Sequence, residues 1–173
     1  VVFGVILGTG VGGGVVVRGR VLDGPNGIAG EWGHNPLPWP RDDERPGAAC
    51  FCGKLGCIET FLSGPGLARD HRRATGSDLA PREIIEGVNA GDAACEAALA
   101  RYEERLARAL AHVINLLDPD VVVLAIGPAE TAEIVGKLAA FGYKGQFMGA
   151  LPTWSPALLG SPGGSRIINY VAK

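Results

Sequence analysis

The chain has 173 residues, 47% of them hydrophobic and 20% charged, with a formal net charge of -2, which is enough length for one ordinary domain with a core and an ordinary globular composition. No polybasic face for nucleic acid or an anionic membrane is implied, and apolar runs such as Val121 to Ile126 fall far short of the ~20 residues a membrane span needs. The four cysteines do not read as a disulfide framework, because Cys50, Cys52 and Cys57 crowd together while Cys95 stands alone in an Ala-rich stretch; such a cluster more often binds metal, and the cytoplasm is the expected compartment.

In chain order, Val1 to Leu7 is apolar and β-rich, and the run Gly8-Thr9-Gly10-Val11-Gly12-Gly13-Gly14 separates it from Val15-Val16-Val17. The pattern predicts a β-hairpin whose bend is the glycine-rich loop. A start inside a strand, without an initiating methionine or a signal-peptide pattern, points to a fragment whose upstream sequence is missing. Asp23 to Pro46 is rich in Gly and Pro but carries Trp32 and Trp39, so it reads as an ordered irregular loop. A short helix is predicted at Ile58 to Leu62, interrupted by Ser63-Gly64-Pro65-Gly66 and resumed over Leu67 to Arg73, with another at Pro81 to Val88.

Asp92 is placed to cap a long helix, whose stripe Leu99, Tyr102, Leu106, Leu110, Val113 and Leu117 has the spacing of an amphipathic face. Asp118-Pro119 stops it, and Val121 to Ile126 reads as a strand buried on both faces. One more helical pattern covers Glu130 to Phe141, followed by a short apolar run at Gln146 to Leu151 and a Pro, Ser and Gly-rich tail. The order of elements predicts an α/β fold.

The strongest chemical signal is His34 followed, after 15 residues, by Cys50-x-Cys52-x4-Cys57. Three thiolates and an imidazole complete a zinc tetrahedron, and a closed site of that kind is structural because it leaves no position for an activated water. The glycine run supplies a second signal: glycines let backbone N–H groups approach phosphate oxygens, and the Thr9 hydroxyl adds a donor. Taken alone, such a bend is as readily a conformational device. Glu31 and His34 in Gly30-Glu31-Trp32-Gly33-His34 offer a carboxylate and an imidazole to vicinal hydroxyls, and Glu59 lies two residues after Cys57. Without the metal loop, both acids would read as solvated.

These segments together, from Gly8 to Gly14, Asn26 to Trp39 and Cys50 to Thr60, continuing through Ser63 to Gly66 and Asn115 to Leu124, resemble the ROK family of repressors and kinases, most closely bacterial fructokinases. The resemblance implies an actin-like ATPase (ribonuclease H-like) fold, of which residues 1–124 would be the carboxy-terminal lobe with a zinc-stapled loop, incomplete without its partner lobe. It implies ATP phosphates on Gly8, Thr9 and Gly10, with Mg2+; sugar hydroxyls on Glu31, His34 and Glu59; and structural Zn2+ on His34, Cys50, Cys52 and Cys57. His34 would use one ring nitrogen for each partner. The implied reaction is transfer of the γ-phosphoryl of ATP to a hexose, fructose giving fructose 6-phosphate, with homodimerisation left open and neither nucleic acid nor membrane as partner.

Two departures accompany the likeness. The aspartate that would serve as catalytic base, and an early Asp-x-Gly phosphate motif, would both precede Val1, so no residue of this chain is assigned that role and the isolated chain is expected to be inert. After Leu124 the sequence Ala125-Ile126-Gly127-Pro128 replaces the adenosine-receiving glycines and serine. Residues 125–173 therefore read as a divergent tail with a faint similarity to branched-chain amino-acid-type periplasmic binding proteins. The alternatives to a kinase lobe are a sugar-sensing regulator of the same family, to be told apart by an upstream helix-turn-helix, and less favourably a solute-binding protein.

Overall fold

The structure, a computed structural model, describes residues 1–125 and the backbones of two short strands at Gln146–Gly149 and Ile167–Asn169. The helix expected over residues 130–141 and the binding-protein likeness of the tail lie largely outside the described residues. Among the described residues six strands form one sheet: β1 (Val2–Leu7), β2 (Val11–Val17), β3 (Arg20–Val21), β4 (Val121–Ala125), β5 (Gln146–Gly149) and β6 (Ile167–Asn169), in the order β3-β2-β1-β4-β5-β6. Strand β3 pairs antiparallel to β2, whereas β4 pairs parallel to β1, with Val2 opposite Val121 and Val5 opposite Leu124, and β5 and β6 continue the parallel run. Parallel pairing needs a crossover rather than a tight turn, and the sequence between β1 and β4 supplies the helices found among the described residues.

Those helices are α1 (Ile58–Leu62), α2 (Gly64–Thr75), α3 (Pro81–Asn89) and α4 (Ala93–Leu117). The predicted interruption between α1 and α2 is narrower than the composition implied. Ser63 alone is extended, its hydroxyl accepts from Gly66 N at 3.1 Å, and Pro65 sits in the first turn, where its missing N–H costs nothing. Asp92 Oδ1 caps α4, accepting from Ala94 N and Cys95 N at 2.9 Å each. At the far end Asp118 takes a left-handed conformation (φ 41°) ahead of Pro119, ending the helix as the sequence predicts. No helix among the described residues is long and apolar enough to cross a membrane.

The chain divides into two compact units. The first comprises residues 1–6, 12–32 and 110–173; its sheet buries Phe3, Val5, Val15, Val122 and Leu124, and Phe3 meets the Trp32 ring edge-on with centroids 5.7 Å apart. Each of these side chains contributes roughly 1.5–3 kcal/mol by leaving water. The second unit comprises residues 7–11 and 33–109, and within it Leu67, Ile84, Cys95 and Ala98 form a core packed by Leu79, Val88 and Tyr102. Cys95 thus belongs to the interior of that helical core, away from the thiol cluster, as its isolation in the sequence implied.

Candidate functional site

The loop that follows His34 folds back on itself through bridges pairing Pro36 with Cys57 and Ala49 with Leu55. Cys50 N donates to Lys54 O at 2.8 Å and Gly53 N to Cys50 O at 3.0 Å, closing a knuckle that Gly53 can enter because its φ is +86°. The result gathers His34, Cys50, Cys52 and Cys57 so that their ligand atoms all lie within 4.8 Å of one another. Cys50 Sγ is 3.4 Å from His34 Nδ1, and Cys52 Sγ is 3.6 Å from Cys57 Sγ.

Zinc–sulfur bonds of about 2.3 Å and zinc–nitrogen bonds of about 2.0 Å at tetrahedral angles would separate two sulfurs by about 3.8 Å and a sulfur from a nitrogen by about 3.5 Å. The pairs at 3.4 and 3.6 Å come near those separations, and no two of the four donors lie more than 4.8 Å apart, so the donor set suits an ion of that size. Burial, together with the neighbouring Cys52 and Cys50 thiols, pushes the Cys57 thiol up to about 12, while the Lys54 backbone N–H holds the exposed Cys52 below the usual thiol range. Crowded thiols of this kind resist simultaneous ionisation unless a cation joins them.

The glycine-rich bend is tighter than the composition implied. Strand β1 ends at Leu7 and β2 resumes at Val11, so only Gly8, Thr9 and Gly10 form the turn, closed by Gly8 N donating to Gly10 O at 2.9 Å. Gly12, Gly13 and Gly14 lie within β2, where a Cβ on Gly13 would come within 2.8 Å of Gly4 O and 2.9 Å of Gly30 O. Gly13 thus serves close backbone approach within the first unit, whereas a Cβ on Gly12 or Gly14 would meet nothing within 4 Å. The turn itself is held from two sides. Gly64 N donates to Gly8 O at 2.8 Å, and Glu59 Oε2 accepts from Val11 N at 2.9 Å. Glu59 N in turn donates to Gly33 O, and a Cβ on Gly33 would lie 2.0 Å from Val11 O.

The structure thus brings Gly8, Thr9, Gly10, His34, Glu59 and the three clustered cysteines into one unit. Glu31 belongs to the other unit, exposed, with its backbone N–H bonded to Ile28 O at 3.1 Å. Its neighbour Trp32 is buried and its indole N–H donates to Gly12 O at 2.8 Å, fixing the segment that carries Glu31.

One charged group escaped the sequence reading. Glu44 is 5% exposed and accepts hydrogen bonds from Arg105 Nε and Arg108 Nη2 at 2.8 Å each and from Arg41 N at 2.8 Å, while Arg105 also reaches Asp70 at 2.8 Å. Burial raises the Glu44 carboxyl, but the two guanidiniums and the backbone donor outweigh it and hold it down at about 2. Arg108 also donates to the carbonyls of Pro38 and Trp39, so this buried cluster braces the segment that follows His34. A cavity of about 280 Å³ opens beside it, lined by Phe61, Arg69, Asp70, Arg73 and Arg105 among others. Arg73 and Arg105 pair there with Asp70, while Arg69 donates to the Thr60 carbonyl.

The family model described as "ROK family" matches residues 1–141. An N-acetyl-D-glucosamine kinase of Pectobacterium carotovorum is 40% identical over 138 residues, covering 78% of this chain and 45% of the relative. The chain therefore spans about half the length of the curated relatives it matches. Among solved structures, a ROK hexokinase from Thermus thermophilus superposes with a TM-score of 0.73 at 29% identity, over 94% of this chain and 53% of that one. A ROK glucokinase from Streptomyces griseus, solved with glucose and AMPPNP, superposes with a TM-score of 0.70 at 24% identity, over 94% and 57%, a likeness of fold.

Proposed function

The chain belongs to the ROK family, with its actin-like ATPase fold, and from that premise we propose that it is the part of an ATP-dependent hexose kinase that carries the phosphate turn, hydroxyl-reading side chains and a structural zinc site. The observation that carries this reading is the gathering, in one compact unit, of the Gly8–Gly10 turn, Glu59 and a Cys3His donor set whose ligand atoms lie within 4.8 Å of one another.

In this reading the γ-phosphoryl of ATP passes to a sugar hydroxyl, and the protein's work is positioning and charge stabilisation. Gly8 N–H is already engaged with Gly10 O, so the turn would offer the Thr9 and Gly10 N–H groups and the Thr9 hydroxyl to phosphate oxygens, with Mg2+ sharing their charge. Zinc would be held by His34 Nδ1 and the three thiolates; being four-coordinate it supplies fold stability, not chemistry. Ligation through Nδ1 leaves Nε2 as the ring's remaining polar atom, available to a sugar hydroxyl. Glu59 supplies a carboxylate acceptor for another hydroxyl, and the family resemblance implies the same role for Glu31. The general base is assigned, as the family resemblance implies, to an amino-terminal lobe.

N-acetyl-D-glucosamine is the substrate we favour, from the kinases of that name that match at about 40% identity. Fructose is the second reading, favoured by the Glu31 to Trp39 segment with its fructokinase likeness. One assay separates them. The chain is joined to the part of the Pectobacterium kinase that it does not match, and ADP formation is followed with N-acetyl-D-glucosamine, fructose and glucose. Sugar-dependent ADP formation is expected, fastest with N-acetyl-D-glucosamine. Turnover fastest with fructose would select the second reading, and no response to any hexose would refute both.

A further inference from the structure

We propose that Glu59 is the positioning residue of the phosphate turn: its carboxylate, by holding Val11 N–H, sets the shape in which Thr9 and Gly10 meet phosphate. The inference rests on reading Gly8–Gly10 as that turn, and it gives Glu59 a role distinct from hydroxyl binding. Residue 59 is 48 positions from Val11 in sequence, yet Oε2 accepts from the Val11 amide at 2.9 Å. The same oxygen lies 2.6 Å from where a Cβ on Gly10 would stand, so the carboxylate packs directly against the turn. Gly10 does not take a positive φ, so close approach is the reason for glycine.

The anchor is itself fixed. Glu59 is the second residue of α1, two residues after Cys57, its N–H bonds to Gly33 O at 2.8 Å, and Gly33 precedes His34. The backbone at both ends of the donor set is thus tied to the carboxylate that grips the turn. On the opposite side Gly64 N holds Gly8 O, so the turn is suspended between the first residues of α1 and of α2. Such a clamp preorganises donors before phosphate arrives, and preorganised donors bind without the cost of ordering them. Oε1 takes no hydrogen bond among the described residues, so one carboxylate can hold the turn through Oε2 and still receive a hydroxyl through Oε1.

The test uses the chain with zinc bound and two readouts, hydrogen exchange at individual amides and calorimetric binding of MgATP. Glu59→Ala removes the acceptor, so exchange at Val11 should accelerate about tenfold to a hundredfold, the span of a charge-assisted bond, while Ile84 in the helical core keeps its protection. Glu59→Gln retains a carbonyl acceptor and should restore most of the protection. MgATP affinity should follow the same order, falling in Glu59→Ala and largely recovering in Glu59→Gln. Gly10→Ala, which places a methyl where Oε2 sits, should loosen Val11 as Glu59→Ala does, and adding it to Glu59→Ala should loosen it little further. Unchanged Val11 exchange in Glu59→Ala would overturn the inference. Accelerated exchange with unaltered MgATP affinity would overturn its consequence for phosphate binding. If neither the parent chain nor the joined kinase of the substrate assay binds MgATP, the phosphate reading of the turn fails, and exchange at Val11 still decides whether Glu59 holds it.

Discussion

Replacing Glu44 by glutamine removes one negative charge from between two guanidiniums while nearly preserving shape. The folded carboxyl titrates at about 2 against an ordinary value of 4.5, and at 1.36 kcal/mol per unit that difference corresponds to about 3 kcal/mol of stability. The sign follows from the depressed value. The contribution is complete above about pH 4.5, where Glu44 would be ionised even in the unfolded chain, and it disappears as pH falls from there towards 2. Arg105 and Arg108 are buried with it, so the substitution also leaves guanidinium hydrogen-bond donors short of an acceptor.

Urea unfolding of the zinc-bound protein from pH 7 to pH 3 is the assay. The parent should lose stability steeply below pH 4.5, and Glu44→Gln should begin about 3 kcal/mol lower and show a shallower acid slope. Asp70, raised by burial but lowered further by Arg101 and Arg105, keeps part of that slope in both proteins. Parallel pH profiles would refute the reasoning, because they would mean that Glu44 gains nothing from its arginines on folding. Glu44→Ala should cost more, about 3–5 kcal/mol, as expected when one partner of a buried ion pair is deleted.

Metal analysis should find one zinc per chain, lost in Cys52→Ser and kept in Cys95→Ser, since Cys95 lies in the helical core; equal zinc in both variants would count against the site. Chelation should lower the melting temperature of the parent and leave that of Cys52→Ser unmoved. Gly33→Ala puts a methyl 2.0 Å from Val11 O, a backbone atom that cannot turn aside, and should destabilise by about 1–3 kcal/mol in urea unfolding. In the joined kinase of the substrate assay, Glu31→Ala should weaken sugar binding by about tenfold to a hundredfold and leave zinc content and MgATP affinity unchanged; unaltered sugar affinity would return Glu31 to the solvated loop acids.

What the sequence discloses depends on how far apart the interacting residues stand. The Cys50, Cys52 and Cys57 spacing is local, so the thiol cluster and its partner His34 can be read directly, and the structure gathers all four donors. The stripe of α4, the Asp92 cap and the Asp118-Pro119 stop are also local, and they appear where the pattern places them. The glycine run behaves otherwise. Seven residues with five glycines and only one hydroxyl look like a single loop, yet Gly13 is a strand residue because Gly4, Gly30 and Trp32 press against it, and no local pattern records that pressure.

Glu44 and Glu59 show the same divide in their chemistry. Nothing local marks Glu44 in Asp42-Asp43-Glu44 for burial, and only the fold brings Arg105 and Arg108, 61 and 64 residues onward, to it. Those arginines sit three apart on α4, a spacing that places them on one helical face, and that is the signal an apolar count overlooks. For Glu59 the sequence offered proximity to Cys57 and hence a sugar role, while the fold adds a bond to Val11 that changes what a Glu59 variant means. A loss of sugar turnover in Glu59→Ala alone could reflect a missing hydroxyl acceptor or a loosened phosphate turn; recovery in Glu59→Gln, read at the Val11 amide, separates the two because only the second depends on that backbone bond.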